Sequence, residues 1–319
     1  MRKAILLYNP LSGRRQGRRV ADVEAAAKIL RDAGVEISTA PTRSSAEAGA
    51  QAREAISGGC DTVFACGGDG TIHDVLQGLV GTDAALGIIP LGTANALAHD
   101  LKIPISATKA AEAAMLARPA RCAVGNVEFQ DFSGHRGSRY FTVAAGIGVD
   151  AHLFYNLTPA FKKRHGMAAY YAKAWHLWAT HTMPFFHVEW NTEAGQLRKE
   201  NVTELLAVRI ANFGGVLRSL APGASLDRQD LRLVLCKTAN RTAYLHYVFQ
   251  GLCGFERNVR GIELAYSSHL HCSTFNTAQQ GAQAIYIEAD GELLGTLPAT
   301  ITMVPDAFNL LVSAGWKSS

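Results

Sequence analysis

The stretch Cys66-Gly67-Gly68-Asp69-Gly70-Thr71 constrains this chain more than any other. It follows directly on an apolar run, Thr62 to Cys66, and precedes a segment with helical spacing, Ile72 to Leu79. Three glycines let backbone amides approach a ligand closely, and a helix N-terminus adds N–H groups and the positive end of its dipole. That combination suits phosphate oxygens, with Asp69 able to hold magnesium directly or through water. Without a ligand, the same residues make a tight strand-to-helix turn with Thr71 as N-cap.

The surrounding pattern is equally regular. Strands are expected at Ala4 to Tyr8, Val35 to Thr39, Thr62 to Cys66 and Leu86 to Pro90, alternating with helical segments such as Val20 to Ala33. This is the signature of a parallel sheet covered on both faces. Three more strands end in loops of the same type: Asn9-Pro10-Leu11-Ser12-Gly13, Pro41-Thr42, and Pro90-Leu91-Gly92-Thr93-Ala94-Asn95. In a doubly wound sheet all four lie at the carboxyl edge, where ligands bind. Arg14, Arg15, Arg18 and Arg19 follow the first loop and could screen a triphosphate or form a solvated basic face.

After about Ala120 the texture becomes strand-rich, with runs at Cys122 to Phe129, Tyr140 to Ala145, Phe186 to Trp190, Glu204 to Ala211, Leu231 to Lys237, Ala284 to Glu288 and Ala299 to Met303. Gly166 to Thr182 and Thr242 to Cys253 read as helices. Two domains follow: residues 1–121, rejoined by 306–319, and residues 122–305. Near the end, Glu288-Ala289-Asp290-Gly291-Glu292 joins two strands through an Asp-Gly turn, and its carboxylates are the kind phosphoryl transfer needs.

Other classes are disfavoured. A net charge of +4 over 319 residues argues against a dedicated nucleic-acid binder and allows weak attraction to anionic lipid. The chain lacks GxxxxGK[ST], a GxGxxG with its distal acid, HRDxxxxN and DFG. Six scattered cysteines fit a reducing cytoplasm, and His269-x-His271-Cys272 lacks a second zinc-like pair. Lys162-Lys163-Arg164, followed by Tyr170, Tyr171, Trp175 and Trp178, suits a headgroup boundary or an ordinary amphipathic helix.

Taken together, the Asn9 to Gly13 loop, Gly67 to Thr71, Pro90 to Asn95 and Asp290-Gly291-Glu292 resemble the diacylglycerol kinase catalytic family, in the family's order and over nearly the whole chain. More narrowly the chain is similar to soluble bacterial lipid kinases that also resemble sphingosine kinases. Ala144-Ala145-Gly146-Ile147-Gly148-Val149-Asp150 resembles the family's entry into its second domain. The resemblance implies an α/β plus β architecture: an N-terminal phosphofructokinase-like, NAD kinase-like nucleotide domain and a C-terminal β-sandwich, with Asn309 to Ser313 returning to the first domain. It implies an enzyme that transfers the γ-phosphate of ATP, with Mg2+, to the hydroxyl of a membrane lipid such as diacylglycerol, working in the cytoplasm at the inner membrane surface.

For the site, the resemblance implies ATP contacts from Asn9, Ser12, Thr42, Gly67, Gly68, Asp69, Gly70, Thr71, Gly92, Thr93 and Asn95. Glu292 is the implied base with Asp290 beside it, or Asp69 takes that role as in sphingosine-kinase-like members. Metal ligands would be Asp69, with Asp227 or Asp230 at a second, structural magnesium. Two departures stand out: Ala96 follows Asn95 where relatives carry an acid, and Arg228-Gln229 replaces their Asp-Gly pair. Pairing into a homodimer is a family habit. The alternatives are a lipid-binding homologue without catalysis and an NAD kinase-like enzyme, the latter opposed by the Gly92 to Asn95 loop and the lack of an Asn-Glu pair after the first domain.

Overall fold

The computed structural model describes residues 1–10, 18–156, 175–176, 178–213, 220–253, 258–275 and 284–316. The first half alternates β1 (Lys3–Tyr8), α1 (Arg19–Asp32), β2 (Glu36–Pro41), α2 (Ser45–Ser57), β3 (Thr62–Gly67), α3 (Asp69–Leu79), β4 (Ala85–Pro90), α4 (Ala96–Asp100) and α5 (Ala107–Met115). The strands are parallel in the order β4-β3-β1-β2. Both faces are covered, which explains why β3 and β4 are apolar throughout and fully buried. Alternate residues feed opposite cores: Leu6, Phe64 and Cys66 pack with α1 and α5, while Leu7, Val63 and Ala65 pack with α2 and α3. Phe64 lies where a side chain on Gly87 would have to sit, so the two strands are matched in shape as well as polarity.

The second half contains β5 (Arg118–Gln130), β6 (Arg136–Phe141), β7 (Ala144–Gly148), α6 (Val149–Asn156), β8 (Phe186–Asn191), β9 (Leu197–Val202), β10 (Glu204–Val208), β11 (Leu231–Cys236), α7 (Arg241–Cys253), β12 (Ile262–Ser267), β13 (His269–Ser273), β14 (Tyr286–Ala289) and β15 (Glu292–Val312). Strands β12-β11-β10-β7-β14-β15 continue the same hydrogen-bonded sheet into β4, and β13, β8, β9, β5 and β6 pack across a second apolar core around Trp190, Phe186 and Phe141. The 21-residue β15 crosses both halves: it pairs antiparallel with β5 through two register shifts and ends parallel to β4, with Asn309 opposite Ala85.

Several boundaries differ from the sequence reading. Tyr140 to Ala145 is divided at Thr142-Val143, where both backbone N–H groups bond to the Asp290 carboxylate instead of a strand. The separate runs at 299–303 and 309–313 belong to one strand. Strands β9, β12 and β13 were not expected, because β9 and β13 are edge-like alternations of polar with apolar residues. Of the helix expected over 166–182, residues 166–174 and 177 lie outside the described residues.

Candidate active site

The two glycine loops touch. A Cβ on Gly92 would run into the Gly68 Cα, and one on Gly67 would overlap the Thr71 side chain, so side chains are excluded where the loops meet. The Leu91 N–H donates to the Gly67 carbonyl at 2.8 Å. Asn95 closes the second loop on itself: its Oδ1 accepts from the Gly92 N–H at 2.9 Å and its Nδ2 donates to the Gly92 carbonyl at 3.2 Å. Its φ of 51° is left-handed, a conformation asparagine tolerates better than most residues.

Helix α3 begins at Asp69 with Gly68 as N-cap and no side-chain cap, so its first-turn N–H groups are left for an anion. Thr71, expected as the cap, is instead a buried residue of that first turn. Thr42 comes to the same edge, its N–H donating to the Tyr8 carbonyl at 2.9 Å, next to Asn9. Thr93 lines the adjoining cavity. Ser12, with Arg14 and Arg15, lies outside the described residues. Arg19 is buried and donates to the Leu91 carbonyl at 2.8 Å, bracing the second loop.

At the β14–β15 turn Asp290 and Gly291 have φ of 51° and 84°, a two-residue hairpin loop that the Asp-Gly pair favours. The Asp290 carboxylate is buried and accepts from Val143 N at 2.8 Å, Thr142 N at 3.0 Å and Ala144 N at 3.2 Å, with His73 Nδ1 at 3.5 Å. Burial alone would lower the His73 pKa, but the Asp290 hydrogen bond and charge outweigh it and the net shift is upward. Asp290 therefore holds the turn in place.

Glu292, next along, keeps an open edge; a Cβ on Gly70 would lie 2.7 Å from its Oε1. Desolvation, then the charge of Asp74, raises its carboxyl pKa. Asp69 is also raised, chiefly by burial, against which the Leu97 N–H donates to its Oδ1 at 3.4 Å.

Asp69, Thr93, Asp290 and Gly291 all line a cavity of about 780 Å³. Its floor is one face of β7, β10, β11 and β14: Ala144, Leu206, Val208, Val234 and Cys236 point into it, while Ala145, Leu205, Ala207, Leu233 and Leu235 point into the opposite core. Tyr244, Tyr247 and Val248 of α7, with Trp178, form walls. Three further carboxylates, Asp150, Glu204 and Glu288, line it. The sequence reading counted Glu288 only among the carboxylates of the 288–292 turn and gave Asp150 and Glu204 no role; the signal that could have joined the three is the glycine pair Gly146 and Gly148 within β7. Glu292 faces a neighbouring recess with Ser45, His73 and Asp74.

Of the two alternatives for a second metal, Asp227 and Asp230, the latter is already engaged. Arg228 grips both oxygens of Asp230, Nε to Oδ1 at 2.6 Å and Nη2 to Oδ2 at 2.7 Å, so that carboxylate already has its cation. The buried Arg209 guanidinium pins the same loop through the Leu226, Arg228 and Asp230 carbonyls. Among the described residues no group of three or more His, Cys, Asp or Glu side chains is placed to hold a metal ion. His271 meets Thr300 Oγ1 at 3.1 Å, and Leu270 and Cys272 of that strand are buried in the core instead.

A parallel α/β half bearing glycine loops, joined through one sheet to a β-sandwich half, defines an NAD kinase-like two-part architecture. The chain belongs to the diacylglycerol kinase family: the diacylglycerol kinase catalytic domain matches residues 3–127, and the YegS C-terminal NAD kinase beta sandwich-like domain matches residues 142–312. The chain is 29% identical to a diacylglycerol kinase of Bacillus subtilis over 93% of its own length and 92% of that protein. It is likewise 29% identical to a diacylglycerol kinase of Mycobacterium tuberculosis, over 97% and 94%. Among solved structures, a diacylglycerol kinase from Bacillus anthracis shares the fold at a TM-score of 0.69 and 20% identity, covering 98% of this chain and 97% of that one. Yeast NADH kinase shares it at 0.52 and 12%, covering 98% and 84%.

Proposed function

We propose that this protein is an ATP-dependent lipid kinase that transfers the γ-phosphate to the hydroxyl of a lipid of the diacylglycerol type. The observation that carries this reading is the junction of a long apolar cavity with the first turn of α3 at Asp69. Apolar walls suit acyl chains, and the uncapped helix start beside two interlocked glycine loops suits nucleotide phosphates. The acceptor oxygen forms its bond to the γ-phosphorus as the bond to the β-phosphate oxygen breaks, ADP leaves, and the hydroxyl proton passes to Asp69, the carboxylate shared by loop and cavity. Glu292 is the second candidate, supported by its open edge and raised pKa.

Asp69 fits a magnesium ion that arrives with the nucleotide, since such ions are held by one or two carboxylates together with phosphates and water. When bound, the ion neutralises charge on the transferred group. Asp230 does not fit a second one, because Arg228 already holds both of its oxygens.

Peripheral action at the inner membrane surface is supported by the exposed Leu245, Val248 and Phe249 of α7, the helix whose other face lines the cavity, and by exposed Trp175 beside Trp178. None of the helices among the described residues is long and apolar enough to cross a membrane. The test is transfer of labelled γ-phosphate with magnesium to diglyceride micelles, with NAD as soluble competitor. Labelled lipid is expected; label on NAD, or on neither, overturns the reading.

A further inference from the structure

Backbone carbonyls that converge on one point make a place for a cation, and the segment leading into β11 builds such a place. Four carbonyls, those of Ala123, Leu226, Arg228 and Asp230, meet around the end of one side chain, Arg209, which follows directly on β10. Its Nη1 donates to the Arg228 carbonyl at 2.7 Å and to that of Asp230 at 3.4 Å. Its Nη2 donates to the Ala123 and Leu226 carbonyls, each at 2.9 Å. Ala123 lies where β5 and β15 change register, between the pairs Cys122–Phe308 and Val124–Val304. The Arg209 side chain is 0% exposed, and its backbone N–H is fixed on the Val143 carbonyl at 2.9 Å. Burial lowers its pKa only to about 10, with Asp230 and Asp227 among the groups opposing the fall, so it is a cation at neutral pH.

Arg228 brings a second charge to the same loop. Besides gripping Asp230, its guanidinium lies 3.9 Å from the centre of the Tyr266 ring, and Tyr266 Oη donates to the Gly223 carbonyl at 3.0 Å. Two guanidiniums thus carry the positive charge of one divalent ion and stand against two carboxylates, Asp227 and Asp230. A forked donor suits acceptors at hydrogen-bond distance, whereas magnesium demands a near-octahedral set of oxygens at about 2.0–2.1 Å. A metal ion here would have to expel a buried guanidinium from its four acceptors. The loop also carries part of the cavity wall. Ala221, Ala224 and Leu226 pack in the same core as Val208 and Val234 of the floor, and Leu220, whose carbonyl accepts from Tyr247 Oη at 2.8 Å, lines the cavity itself.

We propose that Arg209, assisted by Arg228, takes the place of a metal ion at the 226–230 loop, so that the loop and the cavity wall it carries bind no divalent cation. The structural magnesium that the resemblance implies for this segment is replaced by side chains of the chain itself. Asp227 then serves as a counter-charge to Arg209 and not as a metal ligand. This goes beyond the lipid-kinase reading and does not depend on it, because it concerns the folded protein without nucleotide.

The test is thermal unfolding of the whole protein without nucleotide, in millimolar magnesium chloride or in EDTA. The two melting temperatures are expected to agree within about 1 °C, whereas an occupied site would separate them by several degrees through mass action. A magnesium-dependent rise that Asp227→Asn abolishes overturns the proposal. A rise that survives Asp227→Asn puts the ion elsewhere and leaves the loop metal-free, as proposed. Arg209→Met, which keeps the bulk and removes every donor, is expected to lower the melting temperature by about 5 °C or more. An Arg209→Met protein as stable as the wild type overturns the proposal; if that variant does not fold, the wild-type comparison in magnesium and EDTA decides alone.

Discussion

The Asp290 carboxylate accepts a hydrogen bond from the Val143 N–H at 2.8 Å, tying the β14–β15 turn to the junction of β6 and β7. Thr142 and Ala144 add their N–H groups, so a buried negative charge is balanced mainly by three backbone dipoles. Asp290→Asn, which tolerates the left-handed backbone but presents an amide to those donors, is expected to destabilise the protein by about 3 kcal/mol. A lowered urea midpoint with unchanged slope checks this. An unmoved midpoint would mean the anchor is dispensable.

Asp69 lines the large cavity, whereas Glu292, close to Gly70, faces the adjacent recess. Asp69→Asn is expected to lower kcat by about 10²- to 10⁴-fold with the melting temperature little changed. A larger loss for Glu292→Gln than for Asp69→Asn would reverse the assignment of the proton acceptor.

Gly92→Ala places a methyl against the Gly68 backbone, which no side-chain rotation can relieve. The loops must part, so nucleotide affinity is expected to fall at least about tenfold while the circular dichroism spectrum stays that of the wild type. Retained affinity would show that the contact between the loops does not shape the phosphate site.

Filling the cavity should separate lipid from nucleotide. Val208 is buried and lines its floor. Val208→Phe is expected to raise the KM for a long-chain acceptor and to leave ATP affinity unchanged. Equal effects on both would place the lipid elsewhere.

Asp150, Glu204 and Glu288 all have carboxyl pKa values raised by burial. The folded protein therefore binds protons that the unfolded chain has already released. Their contribution favours folding below the unfolded carboxylate range and is lost as pH rises through the folded values, about 6 for Asp150 and raised well above the usual range for the glutamates. Without ligand, the melting temperature is expected to fall between pH 5 and pH 8. Glu288→Gln should flatten that fall and raise the melting temperature at pH 8 by about 2–4 °C for each kcal/mol of relieved burial. A pH-independent melting temperature in the wild type would contradict this.

The local patterns were legible because they depend on neighbours in sequence. Continuous apolar runs such as Val63 to Cys66 can only be strands covered on both faces, and glycine-rich ends followed by helical spacing mark the ligand edge. The Asp-Gly hairpin at 290–291 is likewise a property of two adjacent residues. Arg19 shows the limit: its position beside the first loop suggested phosphate, yet it is buried under the second loop, 72 residues on. Arg228 shows it again, since no local signal told that its guanidinium would grip Asp230.

The sequence by itself determined the alternating first half, the glycine loops and their order, because these follow from backbone freedom and short-range periodicity. Tertiary structure alone decided that Asp290 would be an anchor held by residues 142–144, that alternate faces of β7, β10, β11 and β14 would enclose an apolar cavity, and that Asp150, Glu204 and Glu288 would meet over two glycines. Those outcomes depend on strand register between segments distant in the chain, such as Gly148 opposite Glu204, and register is set by which faces must be buried together rather than by any local signal.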